Sequence, residues 1–184
     1  MNNNNILKGI FCIIIAGFGF ALMSLFVKLS GDIPSMQKGF FRNIIAVFIS
    51  SIPLIKHWRF INIPRNNTGW LVLISRSVFG TIGLVLNFYA ISHISLADSS
   101  IIQKLSPFII IILSYIFFKE EMTRFQVFAI IIAFIGITLI IKPSGNNIIS
   151  MGALAALLGA LCAGIAYTCV RYLGTHNISG EFII

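Results

Sequence analysis

Charge is the scarcest commodity in this chain. Asp, Glu, Lys and Arg make up 10% of its 184 residues, and Asp and Glu together number only 5. Soluble domains carry about 25% charged residues, so a fold with a water-facing surface all round is excluded. Cysteine is sparse too: Cys12, Cys162 and Cys169 all fall in apolar runs without metal or redox spacing, which fits small buried hydrophobes. His57, His93 and His176 are equally scattered. The sequence shows no nucleophile–base pair, no metal-ligand cluster and no phosphate loop, so nothing in it argues for an enzyme, and no cofactor or metal is expected. Strict apolar–polar alternation is missing as well, which removes a membrane β-barrel.

What is present is apolar length. Hydrophobic residues are 58% of the chain, and its mean hydropathy is +0.98. Backbone groups in a bilayer core must be satisfied within the segment, so runs of nearly 20 apolar residues read as transmembrane helices. Six are expected: Ile6 to Leu29, about Met36 to Ile55, about Gly69 to Ser92, Leu96 to Phe118, about Arg124 to Ile141, and about Met151 to Leu173. The first has no A-x-A-like cleavage site after a short core, so it reads as a retained helix, not a signal peptide. The fold class is therefore all-α, a polytopic membrane helix bundle.

Small and polar positions recur at helical spacing. Gly17, Ala21, Ser24 and Lys28 share one face of the first helix; Asn43, Ala46, Ser50 and Pro53 one of the second; Arg76, Gly80, Gly83 and Asn87 one of the third; Ala129, Ala133 and Gly136 one of the fifth. Such faces let membrane helices approach closely. The net charge of +8 sits mostly in the gaps between apolar runs, a topological signature and not a nucleic-acid face. Lys8, Lys56, Arg59, Arg65, Lys119, Arg124 and Arg171 collect on the side of the N-terminus, against Lys28, Lys38 and Lys142 on the other. The excess places the N-terminus in the cytoplasm and the chain in the cell (inner) membrane.

Aligning Gly9 with Gly152 also aligns Ala21 with Gly164, Val27 with Val170, Lys28 with Arg171 and Gly31 with Gly174. The sixth helix thus restarts the pattern of the first, and a five-helix unit makes successive repeats inverted, a plan used by secondary transporters. Ile6–Ser144 is read as one five-helix unit and 150–184 as the start of a second, incomplete one.

The segment NFYAISHISLADSSIIQKLSPFIIIILSYIFFKEEMTRFQVFAIIIAFIGITLIIKPS resembles the second half of an EamA domain, the five-helix repeat of the drug/metabolite transporter superfamily. Phe40–Asn43, FFRN, and the apolar first helix fit the same pattern. The resemblance covers about Gly9 to Ser144, and Gly152–Gly174 is similar to the start of a second copy. It implies two inverted copies of five helices around a central cavity, and transport of amino acids, nucleotide-related compounds, other metabolites or drugs. This chain departs from that pattern by lacking helices seven to ten.

Candidate ligand groups come from depth. Arg42 and Lys104 each lie six or seven residues into their helices, about 10 Å at 1.5 Å per residue. Asn87 and Tyr89 approach the same level from below, Asn43 adjoins Arg42, and Gln103 adds an amide beside Lys104. On a helical wheel Ser99, Ser100, Gln103, Lys104, Ser106 and Pro107 fall on one side, opposite Ile101, Ile102, Leu105, Phe108 and Ile109, and Pro107 frees a carbonyl there. Arg42, Asn43, Asn87, Tyr89, Gln103 and Lys104 are accordingly the expected substrate-binding residues. Cations with amides and a phenol suit an anionic or zwitterionic metabolite. The bland reading of Arg42, Lys104 and Arg76 is snorkelling to an interface. Asp98 is expected to cap its helix, and Glu120 and Glu121 to form a solvated cluster with Lys119 and Arg124.

Two functions follow as expectations. One is a secondary transporter, a permease working by alternating access and completed either by a second copy or by a missing second half. The other is an inactive remnant or accessory membrane subunit without transport activity.

Overall fold

A computed structural model describes residues 3–56, 63–64, 66–141, 150–176 and 178–183. His57, Arg59, Arg65, Lys142 and the boundary at Ser144 lie outside them. Eight helical segments follow one another: α1 (Asn3–Leu29), α2 (Ser35–Lys56), α3 (Asn67–His93), α4 (Leu96–Gln103), α5 (Ser106–Phe118), α6 (Arg124–Ile141), α7 (Met151–Thr175) and the short α8 (Gly180–Ile183). No strand occurs among the described residues. Among the described residues four passages are long and apolar enough to cross a membrane: Gly9–Leu29, Asn67–His93, Leu96–Phe118 and Met151–Thr175. The all-α membrane bundle read from the sequence is the architecture observed.

Local chemistry explains the starts. Ser95 accepts a hydrogen bond from the Asp98 backbone N–H at 3.0 Å and so caps α4. Asp98 is therefore in the first turn and not the cap itself, and its carboxylate faces the positive end of the helix dipole. Ser150 caps α7 in the same way, through Ala153 N–H. At α6, Thr123 and Gln126 exchange side-chain-to-backbone bonds of 2.9 and 3.3 Å, a reciprocal capping box.

The centre of the bundle is the pairing of α3 with α7, flanked by α4 and α5. Apolar burial cannot drive helices together in lipid, so close van der Waals packing must do it. Here two glycines make that possible. A methyl group built on Gly83 would lie 3.1 Å from Cys162 Cβ and 3.2 Å from the Gly159 carbonyl oxygen. One built on Gly159 would lie 3.3 Å from the Gly83 carbonyl oxygen. Further along the same helix, Gly164 takes Ile109 of α5, whose Cγ2 would stand 2.5 Å from an added methyl. Ala155, Ala156 and Ala160 of α7 join Ala90, Ile102, Leu105 and Ile109 in the main buried cluster. A second, smaller cluster joins Val27, Phe88 and Ile91.

The small-residue face of α3 thus meets α7 as its spacing anticipates. That of α1 does not: nothing lies within 4 Å of a methyl on Gly17, and most of α1 is exposed. Gly136 of α6 is equally open, although Ala133 of the same face packs against the main cluster.

Candidate functional site

The fourth apolar run is broken. Lys104 N–H and Leu105 N–H donate to the carbonyls of Ile101 and Ile102, both at 3.0 Å, so the helix tightens before it stops. Pro107, in the first turn of α5, has no N–H to give the Gln103 carbonyl. Ser106 takes over that role, its Oγ lying 2.9 Å from the Gln103 carbonyl oxygen and 3.3 Å from that of Ala160 on α7. The carbonyl that Pro107 frees is therefore engaged within the protein.

The break also sets which side faces inward. Ser99, Ile102, Leu105, Ser106 and Ile109 are buried, while Ser100, Ile101, Lys104 and Pro107 are exposed. The wheel groups Lys104 with Ser99 and Ser106; in the structure it is turned away from both. The reason is size and hydrogen bonding. Two small hydroxyls let α4 and α5 lie close to their neighbours, Ser99 Oγ reaching Asn87 Oδ1 at 3.5 Å and Ser106 reaching Ala160. A long cation has no place on that side.

The expected substrate ligands accordingly occupy four settings. Gln103 and Lys104 sit at the break. The exposed Lys104 ammonium makes no hydrogen bond or ion pair among the described residues, and Gln103 Oε1 is buried without a hydrogen-bond partner among them. Asn87 faces α4 through Ser99. Arg42 donates to Asn43 Oδ1 at 2.9 Å and, with Lys38 and Gln37, borders an open groove of about 440 Å³ between α1 and α2 floored by Phe88. Tyr89 lies on another side of α3, stacked on His93 with ring centroids 3.9 Å apart. It borders an apolar groove of about 290 Å³ against Met151, Leu154 and Leu158 of α7.

Other basic residues prove structural in ways that composition does not reveal. Lys38 is buried, and its ammonium donates to the carbonyls of Val27 and Gly31 and to Ser92 Oγ at 3.0–3.1 Å. Lys28 donates to the carbonyls of Ile91 and Ile94, both at 2.7 Å. Both lysines thus serve the carbonyl ends of α1 and α3, where helix dipoles favour cations. Lys38 counts only as a topological charge in the sequence; its place in the first turn of α2, just after a short turn from α1, is the one available signal. Arg171, aligned with Lys28 by the internal repeat, likewise secures a helix end. It donates to Ser114 Oγ at 2.8 Å and to Glu120 Oε1 at 2.6 Å, with its guanidinium carbon 5.5 Å from the centre of the Phe118 ring. Glu120 therefore pairs with α7, in place of the expected local cluster with Lys119 and Arg124. Arg76, on the face of α3 that meets α7, keeps its Nε buried without a hydrogen-bond partner among the described residues.

A multi-pass bundle with an interrupted span and unsatisfied polar groups at the interruption has the form of a membrane transporter. Residues 7–142 match the EamA-like transporter family, and the chain belongs to it. The pseudopaline exporter CntI of Pseudomonas aeruginosa is 31% identical over 96% of this chain and 61% of its own length. An uncharacterized transporter of Helicobacter pylori is 30% identical over 92% of this chain and 57% of its own. Mouse solute carrier family 35 member G1 is 29% identical over 90% and 48%. The chain therefore spans about three-fifths of the length of these bacterial relatives. No solved structure matches it significantly.

Proposed function

We propose that this chain forms part of a secondary transporter that moves a small organic metabolite, anionic or zwitterionic, across the inner membrane by alternating access. The observation that carries the reading is the break at Lys104. Broken helices in transporters offer polar groups at membrane depth, where uncompensated charge is costly unless it meets water or a ligand. Lys104 supplies the cation and the Gln103 amide an acceptor without a hydrogen-bond partner among the described residues, while Asn87 holds the buried side of α4 through Ser99. The exposed side of α4 is the wall of the cavity in this reading. Helices from a second copy, or from the other half of a longer chain, complete it. The N-terminus is cytoplasmic on the balance of basic residues.

Transport by relatives named as exporters or carriers supports the class, and the cation at the break supports the substrate charge. The test is uptake of labelled organic anions into vesicles holding the purified chain. Lys104→Met is expected to lower uptake at least tenfold while helix content and insertion stay as in the wild type. Unaltered uptake would remove Lys104 from the site.

A further inference from the structure

The groove between α1 and α2 has a composition that the transport reading does not use. Its floor and walls are aromatic and aliphatic: Phe88 below, Met23 and Phe26 on α1, Phe41 on α2. Phe26 and Phe41 are 65% and 63% exposed, so the groove opens sideways, toward the side where the hydrocarbon of a bilayer would lie. Toward the start of α2 it becomes cationic, with Lys38 and Arg42, and no carboxylate lines it. Lys38 directs its three N–H donors to the Val27 and Gly31 carbonyls and Ser92 Oγ and contributes only its field. Arg42 has one hydrogen bond, to Asn43, which leaves most of its fork free.

Depth decides what that fork meets. Arg42 begins about 10 Å inside the first residue of α2. Side chains on a helix slant toward its N-terminus, so the long Arg42 side chain leads back toward Lys38 and the membrane surface. A guanidinium at that level, above an apolar trough open to lipid, matches a phosphodiester whose acyl chain runs downward. Basic pockets between transmembrane helices bind anionic headgroups for this reason, and a planar fork can hold two phosphate oxygens at once. A soluble anion would gain the charge but none of the apolar contact.

We propose that the α1–α2 groove is a binding site for an anionic membrane phospholipid, with its phosphate on Arg42 and one acyl chain along Phe26, Phe41 and Phe88. The experiment is native mass spectrometry of the purified chain in detergent. Dioleoylphosphatidylglycerol is the probe, dioleoylphosphatidylcholine the same chains without net charge, and glycerol 3-phosphate the anion without chains. The wild type is expected to retain phosphatidylglycerol at least tenfold better than phosphatidylcholine, and Arg42→Gln to abolish that preference. Arg124→Gln, at the exposed start of α6, should keep it. Equal retention of the two lipids by the wild type overturns the proposal, as does an unchanged preference in Arg42→Gln. Displacement by glycerol 3-phosphate at concentrations equal to the lipid's also overturns it and makes the groove a site for soluble anions. Should Arg42→Gln fail to fold, Gln37→Glu sets a carboxylate at an exposed position of the same groove. It is expected to cut phosphatidylglycerol retention several-fold, and unchanged retention would again sink the idea. Lys104→Met must leave the lipid preference intact, which keeps a failure of the transport reading distinct from a failure of this one.

Discussion

Replacing Gly83 with alanine tests the packing that holds the bundle together. The added methyl meets Cys162 Cβ at 3.1 Å, the Gly159 carbonyl oxygen at 3.2 Å and the Ala163 nitrogen at 3.3 Å. Two of the three are backbone atoms of α7, which cannot swing aside as a side-chain tip can. The crossing must open by a few tenths of an ångström, and close-packed contacts weaken steeply with such a gap. Overpacking of this kind costs about 1–3 kcal/mol. Alanine returns ~1 kcal/mol through its better helix propensity, so the net loss for Gly83→Ala is about 0–2 kcal/mol. Gly136→Ala receives the same propensity gain and meets nothing within 4 Å, so it should be neutral or slightly stabilising. The assay is equilibrium unfolding in mixed detergent micelles, followed by circular dichroism, with the two variants side by side. Gly159→Ala should resemble Gly83→Ala. The double variant should lose less than the sum, because both methyls open the same crossing. If Gly83→Ala is as stable as Gly136→Ala, the α3–α7 contact is not what organises the fold.

Four further outcomes are expected. Lys104→Met should change stability by no more than about 0.5 kcal/mol, since the side chain is exposed and unbonded; the same unfolding assay checks this. Lys38→Met removes the ammonium from the Gly31 carbonyl, while Val27 keeps Ser30 Oγ and Ser92 stays bonded to the Phe88 carbonyl, and should destabilise by roughly 1–2 kcal/mol, read as early aggregation in fluorescence-detected size exclusion. Glu120→Gln removes an ion pair whose side chains are 44% and 47% exposed and should cost less than ~1 kcal/mol, whereas Arg171→Ala also strands the buried Ser114 hydroxyl and should cost about 1–3 kcal/mol in thermal denaturation. Lys119 ends α5 with φ of +53°, so Lys119→Gly should unfold later than Lys119→Val by about 1–2 kcal/mol.

The helices were legible because the bilayer imposes a length that the apolar runs repeat; the cap of α4 was misplaced, at Asp98 in place of Ser95, because both are good capping residues three apart. The face of α3 was legible as well: Gly80, Gly83 and Asn87 follow the period of a helix, and helical spacing places them together whatever packs against them. The inward side of α4 was not. A wheel assumes one continuous helix and ranks residues by polarity, but Ser99 and Ser106 are buried by virtue of small size and available partners. Lys38 shows the same limit from the other direction. Its burial depends on carbonyls of α1 and a hydroxyl of α3, and only the folded turn brings them within reach. How far Arg42 and Lys104 lie into their helices follows from counting along the chain, whereas the face each residue takes does not.

The order of helices along the chain bears on how the protein is made. Gly83 finds its partner surface at Gly159, on a helix synthesised after α4, α5 and α6. At ~5–20 residues per second, α3 stands in the membrane for roughly 4–15 s before α7 emerges. During that interval its glycine face and the Arg76 guanidinium are open to whatever else occupies the insertion machinery. A chaperone or translocon component that shields small-residue faces would act in that window. Slowing translation between α6 and α7 should then lower the yield of folded protein without any change in its sequence.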